Sequence, residues 1–410
     1  MKHQSMKLLH TADWHLGKRL DRFSRLPEQR AVLEEICTIA EEEQVDAVLI
    51  AGDLFDSYNP PGEAERLFYR TLKRLSADGQ RAVIAIAGNH DSPERIEAPH
   101  PLAQECGIIL AGAPNCHISP FALETGLAVL RSEPGFVELR LPRDSAPLRL
   151  LLTPYANEVR LRTFLGDEDT EEELRRLLQR RWQALADAHC DGAGVNVLLT
   201  HLFFIRKGET PVEEPEDEKP ILHVGGAQAI YTENVPRQMQ YVALGHLHGR
   251  RIVTEDPCPM IYSSSPLAYS MSEAGQQKQV IIVEVEPGQP AVWREVPLTA
   301  GRPLMRKRCE GVPEAVEWLK AHPHAWVELT LVTDTFLTAE ERRALAEAHD
   351  GVVAIIPEVR DPDLQDSAGG HSIRLDMSME ELFRAYFRHR HGQEPGEDIL
   401  DLFREILAEN

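Results

Sequence analysis

From Met6 to about Pro297, short apolar runs alternate with longer amphipathic stretches. Lys7–His10, Asp46–Ala51 and Arg81–Ala87 predict strands, the last two continuous enough to be buried. Between them, Pro27–Gln44 places Val32, Leu33, Ile36, Ile39 and Ala40 on one helical face, and Glu63–Leu75 predicts a second amphipathic helix. Strand–helix alternation of this kind predicts an α/β layer. Further on, Leu148–Leu152, Val195–Thr200 and Tyr241–Leu244 read as strands, and Glu171–Ala188 as a helix between the first two. Gln279–Val285 and Ala291–Val296 predict a strand pair turning at Glu286-Pro287-Gly288.

Past Ala300 the pattern changes. Val312–Ala321 (helix), Ala325–Thr330 (strand), Thr338–Ala348 (helix) and Val352–Ile356 (strand) predict a compact unit of about sixty residues, a size only marginally stable alone. Asp361–Gly370 reads as a linker. Asp376–Asn410 predicts two amphipathic helices around His391–Glu397, the first opened by the capping box Ser378-Met379-Glu380-Glu381. Their stripes, Leu382, Phe383, Tyr386 and Phe387, then Ile399, Leu402, Phe403, Ile406 and Leu407, offer more apolar surface than two short helices bury between themselves. The pair therefore reads as a docking module. Glu209–Pro220, with three prolines and six acids, predicts an exposed, mobile loop.

Composition narrows the picture. A chain of 410 residues carries a prior of two to three domains, and 42% hydrophobic with 27% charged residues excludes wholesale disorder. Cys37, Cys106, Cys116, Cys190, Cys258 and Cys309 include no C-x-x-C pair, so neither a zinc ribbon nor a disulfide framework is expected. No run of 18 apolar residues predicts a membrane span, Met1–Ser5 reads as a short extension before Met6, and the expected compartment is the reducing cytoplasm. The net charge of −22 argues against holding nucleic acid by bulk electrostatics. It leaves room for a nuclease whose metal centre supplies local positive charge.

Five apolar runs end in clusters of metal-ligand residue types. These are Asp13-Trp14-His15, Gly52-Asp53-Leu54-Phe55-Asp56, Gly88-Asn89-His90-Asp91, His201 and Gly245-His246-Leu247-His248. Ligand sites of α/β proteins lie beyond the carboxyl ends of the strands, so all five can converge. Carboxylates, imidazoles and an amide oxygen suit Mn²⁺, Fe²⁺ or Zn²⁺ rather than Ca²⁺. Seven donors (Asp13, His15, Asp53, Asn89, His201, His246 and His248) exceed one tetrahedral site and fit two ions about 3.5–4 Å apart sharing a carboxylate. The glycines before Asp53, Asn89 and His246 are expected to turn the chain off the strand ends. Asp56 is expected to cap or fix its loop, Asp91 to orient a histidine or close its turn, and His10 to be a satisfied interior histidine. Lys18, Arg19, Arg22, Arg25, Arg250 and Arg251 flank the clusters and are expected to meet substrate, unless they form a merely solvated basic face.

D-x-H, G-D-x-x-D, G-N-H-D, H and G-H-x-H in this order resemble the calcineurin-like metallophosphoesterases. The segments His10–Lys18, Gly88–Arg95, Val224-Gly225-Gly226 and Ser272-Glu273-Ala274-Gly275 resemble its SbcD family of DNA-end-processing nucleases. Tyr262-Ser263-Ser264-Ser265 departs from that pattern, which has glycine where Ser264 stands. The resemblance implies an α/β fold: a two-sheet sandwich over residues 1–300, a small α+β capping domain over 301–360, a linker over 361–375 and a C-terminal helix pair over 376–410. It implies Asp13, His15, Asp53 and His248 around one Mn²⁺, and Asp53, Asn89, His201 and His246 around the other. His90 would act on the scissile phosphate as a non-ligand. The implied activity is two-metal exo- and endonucleolytic cleavage of DNA ends and hairpins in repair and recombination. The implied partners are DNA, the ATPase SbcC on the C-terminal helices, and a second copy in a homodimer through Glu63–Leu75 and Pro93–Glu105. Two other readings stand beside it: an esterase for small phosphodiesters or phosphoproteins, and a scaffold with a relic site.

Overall fold

The computed structural model describes residues 5–164, 170–210, 229–333 and 337–359, with positions 380, 383, 384, 387, 395, 396, 399, 400 and 403 of the C-terminal segment. Two compact units emerge, Met1–Met305 and Arg306–Asn410.

The first unit begins with β1 (Met6–Thr11), α1 (Leu26–Glu42), β2 (Ala47–Ala51), α2 (Gly62–Leu75), β3 (Ala82–Ile86) and β4 (Ile108–Ala111). It continues with β5 (Ala128–Glu133), β6 (Phe136–Arg140), β7 (Leu148–Thr153), α3 (Thr170–His189), β8 (Val195–His201) and β9 (Tyr241–Gly245). It closes with β10 (Arg251–Thr254), β11 (Met260–Tyr262), β12 (Gln279–Val285) and β13 (Val292–Pro297). One sheet has the order β13-β12-β1-β2-β3-β4 and the other β10-β11-β9-β8-β7-β6-β5. The centres of both sheets are parallel, with Leu8 opposite Ala47 and Leu198 opposite Val242, while β12, β13, β5, β6 and β10 add antiparallel edges.

Alternation along the strands builds three apolar layers. In β2, Ala47, Leu49 and Ala51 face the second sheet and pack with Leu150, Leu199 and Ala243. Val48 and Ile50 point the other way, onto Val32, Leu33 and Ile36 of α1 and Phe68 and Leu72 of α2. Beyond the second sheet, Leu174, Leu178, Trp182 and Ala186 of α3 cover Leu151, Leu198 and Val242. Each central strand is therefore apolar on both faces, which is why it reads as an unbroken hydrophobic run. His10 is enclosed between Tyr241 Oη at 2.9 Å and the Leu244 carbonyl at 3.2 Å, and burial pushes its pKa down to about 3.

The second unit contains β14 (Leu304–Cys309), which leads into it, then α4 (Val312–Ala321), β15 (Trp326–Thr333), α5 (Ala339–Ala348) and β16 (Val352–Val359). Its sheet has the order β14-β15-β16, with β15 and β16 parallel. Strand β14 carries Arg306-Lys307-Arg308, so its apolar alternation is hidden in the sequence. Segment Pro93–Glu105 forms two short helices, Pro93–Glu97 and His100–Gln104, separated at Ala98-Pro99. The linker 361–375, most of the C-terminal helix pair, and the acidic loop from 211 onward lie outside the described residues. Within the helix pair, the rings of Phe383 and Phe403 stack with centroids 4.1 Å apart. All six cysteines are free thiols. Among the described residues no helix is long and apolar enough to cross a membrane.

Candidate metal centre

Strands β1, β2, β3, β8 and β9 deliver the five clusters to one end of the sandwich. The crowding there is severe. A Cβ on Gly52 would meet His201 Nδ1 at 2.2 Å, one on Gly88 would meet Asp53 Oδ1 at 2.1 Å, and one on Gly245 would meet the Ala51 carbonyl at 1.7 Å. Only Gly52 has a positive φ, of 88°. Gly88 and Gly245 are thus required for close approach rather than for the sharp turn expected of them. The left-handed conformations fall on Asp13 (φ 55°), His15 (43°), Asp53 (45°) and His246 (φ 107°) instead. Each costs on the order of 1–3 kcal/mol and needs surrounding structure to hold it. That support is visible: Asp13 N–H donates to the Gly52 carbonyl at 3.0 Å, His15 N–H to the Asp53 carbonyl at 2.9 Å, and His246 N–H to Asp13 Oδ1 at 2.9 Å.

The seven donor residues named from the sequence come together, and all are buried. Asp53 sits at the centre. Its Oδ2 lies 3.3 Å from His201 Nε2 and 3.6 Å from His15 Nε2, and its Oδ1 accepts the His90 N–H at 2.9 Å. Donor atoms of Asp13, His15 and Asp53 cluster within 4.8 Å of one another, as do those of Asp53, His201 and His246. Asn89 Oδ1 lies 2.8 Å from His201 Nε2, and His248 Nε2 lies 3.0 Å from His15 Nε2. Among the described residues, Asp13 Oδ2 and Asp53 Oδ2 are buried without a hydrogen-bond donor. Two such oxygens surrounded by imidazoles are costly unless cations meet them. The donor set therefore fits divalent metal ions.

The electrostatics agree. Burial pushes Asp13 up to about 7 against the pull of His201 and His248. Burial also acts upward on Asp53, but His201, His90 and His15 hold it well below the usual carboxylate range. His201, which burial would lower, is raised to about 9 by Asp53 and Asp13. Its Nδ1 donates to the Ala51 carbonyl at 2.8 Å, which turns Nε2 toward Asp53 and Asn89.

Of the two roles expected of Asp91, the closing of the G-N-H-D turn is the one its hydrogen bonds carry among the described residues. Its carboxylate accepts the N–H groups of Gly88 (2.8 Å), Leu54 (3.0 Å) and Phe55 (2.9 Å), and so ties the Gly52 and Gly88 loops together. Burial and neighbouring Asp53 push it up to about 6. Asp56 is closer to the chemistry than a loop cap: its Oδ1 lies 3.7 Å from His15 Nδ1 and 3.5 Å from Lys18 Nζ, and its carbonyl accepts from His90 Nδ1 at 2.9 Å. Donor atoms of His15, Asp56 and His90 also cluster within 4.8 Å, which gives His90 the reach of a ligand as well.

Of the six flanking cations, Lys18 reaches the site. Arg25 does not: it is buried, bonds Glu28 at 2.6 Å and the Ala268 carbonyl at 2.8 Å, and is structural. Arg250 pairs with Glu295, and Arg251 with Glu209 at 2.7 Å. Arg19 and Arg22 are exposed.

Two supporting residues escaped the sequence reading. Glu273 Oε1 accepts from His248 Nδ1 at 3.3 Å and from the N–H groups of Tyr269 and Ser270 at 3.0 and 3.1 Å. Its other oxygen meets buried Lys278. Although burial opposes it, His248 and Lys278 hold the Glu273 carboxylate well below its ordinary range. A carboxylate behind a ligand histidine fixes its tautomer and orientation. Arg160 donates to the carbonyls of Gly88 and Asp91, both at 2.7 Å, and anchors the G-N-H-D loop. Glu273 lies in a segment that already resembles the family, a signal that could have found it; nothing around Arg160 announces its role.

A family model described as calcineurin-like phosphoesterase matches residues 6–250. Among curated proteins, the SbcD component of the nuclease SbcCD from Bacillus subtilis is 36% identical, the alignment covering 98% of each chain. The protein of the same name from Rhodobacter capsulatus is 32% identical over 77% of this chain and 75% of its own.

Proposed function

The chain belongs, with these SbcD proteins, to the calcineurin-like phosphoesterase family of phosphoester hydrolases, and on that premise we propose that it is a two-metal DNA nuclease. The observation that carries the reading is the sharing of Asp53 between two donor groups, Asp13–His15–Asp53 and Asp53–His201–His246. His248 extends the first group and Asn89 the second. Two divalent cations held there would supply Lewis acidity toward the scissile phosphate and make water acidic enough to attack at neutral pH; the mixed oxygen and nitrogen donors suit Mn²⁺, Fe²⁺ or Zn²⁺, and of these the family resemblance implies Mn²⁺. His90 is the proton carrier for the leaving oxygen. Its Nδ1 is committed to the Asp56 carbonyl, so proton transfer runs through Nε2. Lys18 supplies positive charge at the rim.

The relatives' name, a subunit of the nuclease SbcCD, supports a nuclease; we take the substrate to be DNA, cleaved from ends and within hairpins, and the partner an ATPase of SbcC type, as the resemblance implies. We assign the partner contact to the C-terminal helices and a capping role to residues 301–360. A homodimer through Glu63–Leu75 and Pro93–Glu105 would rest on Tyr69 and Leu102, which are exposed, because Leu67, Phe68 and Leu72 are buried within the chain. The test is hydrolysis of linear and hairpin DNA, with cyclic nucleotides as competing substrates, in Mn²⁺ and in EDTA. Metal-dependent cleavage of DNA is expected. Preference for cyclic nucleotides would favour a small-phosphodiester enzyme, and no metal-dependent turnover on any substrate would favour a scaffold.

A further inference from the structure

A chain of net charge −22 needs a local cationic surface to hold a polyanion, and the arginines after the metal-site motifs contribute little, since three of them are buried or paired. Apart from the exposed Arg19 and Arg22, the described residues hold further cations without acidic partners elsewhere. Helices α1 and α2 both start at the metal end of the sandwich. Gln29, on the first turn of α1, donates to the His15 carbonyl at 2.7 Å, and a Cβ on Gly17 would lie 3.1 Å from Pro61, the residue before α2. Between them runs a groove of about 210 Å³ lined by Arg30, Arg66, Arg70 and Arg74, with Glu34 and Glu63. Arg74 is occupied by Glu34 and Glu41. Arg30, Arg66 and Arg70 are exposed, and no ion pair engages them among the described residues. Arg66 and Arg70 stand four residues apart, so they rise about 6 Å along one stripe of α2, with Arg30 facing them from α1. Four guanidinium groups stand against three carboxylates here, Glu34 and Glu63 of the lining and Glu41 beside Arg74, which leaves the groove locally positive on an acidic protein. Guanidinium forks match phosphate oxygens in geometry as well as charge.

We propose that the α1–α2 groove is a second contact for the DNA phosphate backbone, holding nucleic acid that extends past the metal centre; the proposal rests on the nuclease reading. It is tested with full-length protein carrying Arg30→Gln, Arg66→Gln and Arg70→Gln together. A charge-matched control removes the exposed Arg140, Arg180 and Arg237. Binding of a fluorescent duplex is measured in EDTA across salt concentrations, and hydrolysis of a small chromogenic phosphodiester in Mn²⁺. The groove variant should flatten the plot of log affinity against log salt by about 0.9 per lost phosphate contact, up to about 2.7 in all. The control should change the slope little, and both should hydrolyse the chromogen as the wild type does. An unchanged slope, or an equal change in the control, overturns the proposal. So does retained DNA affinity with lost binding of an ATPase partner, which would make the groove a protein interface. Wild-type protein that neither binds nor cleaves DNA would instead remove the nuclease reading itself.

Discussion

Replacing Lys278 by methionine probes the buried support of the metal centre without replacing a donor residue. The Lys278 side chain is 7% exposed and that of Glu273 4%, so solvent screens the pair little. Nζ also donates to the His248 carbonyl at 2.8 Å, Ser265 Oγ at 3.1 Å and Gln276 Oε1 at 3.3 Å. Methionine keeps most of the stem volume, so the loss is electrostatic rather than a cavity. It leaves the Glu273 carboxylate buried, facing His248 and two backbone N–H groups but no fixed cation. Breaking a buried ion pair from one side costs about 3–5 kcal/mol. Adding Glu273→Gln removes the stranded charge, so the double variant should be less damaged than the two single losses summed, by about 2 kcal/mol or more. The assay is urea unfolding of the full chain in EDTA, with hydrogen exchange of amides in β8 and β12 to isolate the first unit. Additive losses would refute the reasoning, because they would mean that the two charges are not energetically coupled.

Three other outcomes follow from particular residues. Asp53→Asn should abolish metal binding more completely than Asp56→Asn, because Asp53 belongs to both donor groups that share it while Asp56 lies to one side with His15 and His90; equal loss by elemental analysis would contradict this. At Ser264, where φ is +86°, glycine should give a more stable protein than alanine by about 1 kcal/mol, reversing the usual order; an alanine variant with the higher denaturation midpoint would sink that argument. Because folding lowers the pKa of His10 from 6.5 to about 3, the unfolded chain binds the extra proton as pH falls below about 6.5. Stability should then fall by about 1.4 kcal/mol per pH unit from this residue alone, and a His10→Gln variant with the same pH slope as wild type would contradict it.

Much of this architecture is legible in the sequence because the central strands are apolar on both faces and end directly in chemical residues. The runs before Asp13, Asp53, Asn89, His201 and His246 give both the strands and the donors. The edge strands are harder to read. In β5, Arg131, Ser132 and Glu133 follow only two buried residues, and β11 is three residues long, so neither shows a period. The site's supports are harder still. Glu273 and Lys278 act through geometry fixed by the loop after β11, and Arg25 lies beside the motif in sequence yet turns inward onto Glu28. Proximity in sequence misplaces charges that folding pairs. The position where the family pattern has glycine was informative: Ser264 adopts the left-handed conformation that glycine favours, and its hydroxyl accepts the Gln279 N–H at 3.3 Å.

The central claim is an Asp53-centred pair of metal ions with His90 outside the donor set. Anomalous scattering from crystals of the Mn²⁺-loaded full-length protein tests it most directly, with wild type and His90→Ala compared. The account predicts two manganese peaks about 3.5–4 Å apart flanking Asp53 in both proteins, with DNA cleavage lost only in the variant. A single peak in the wild type, or the loss of a peak in His90→Ala, would contradict it.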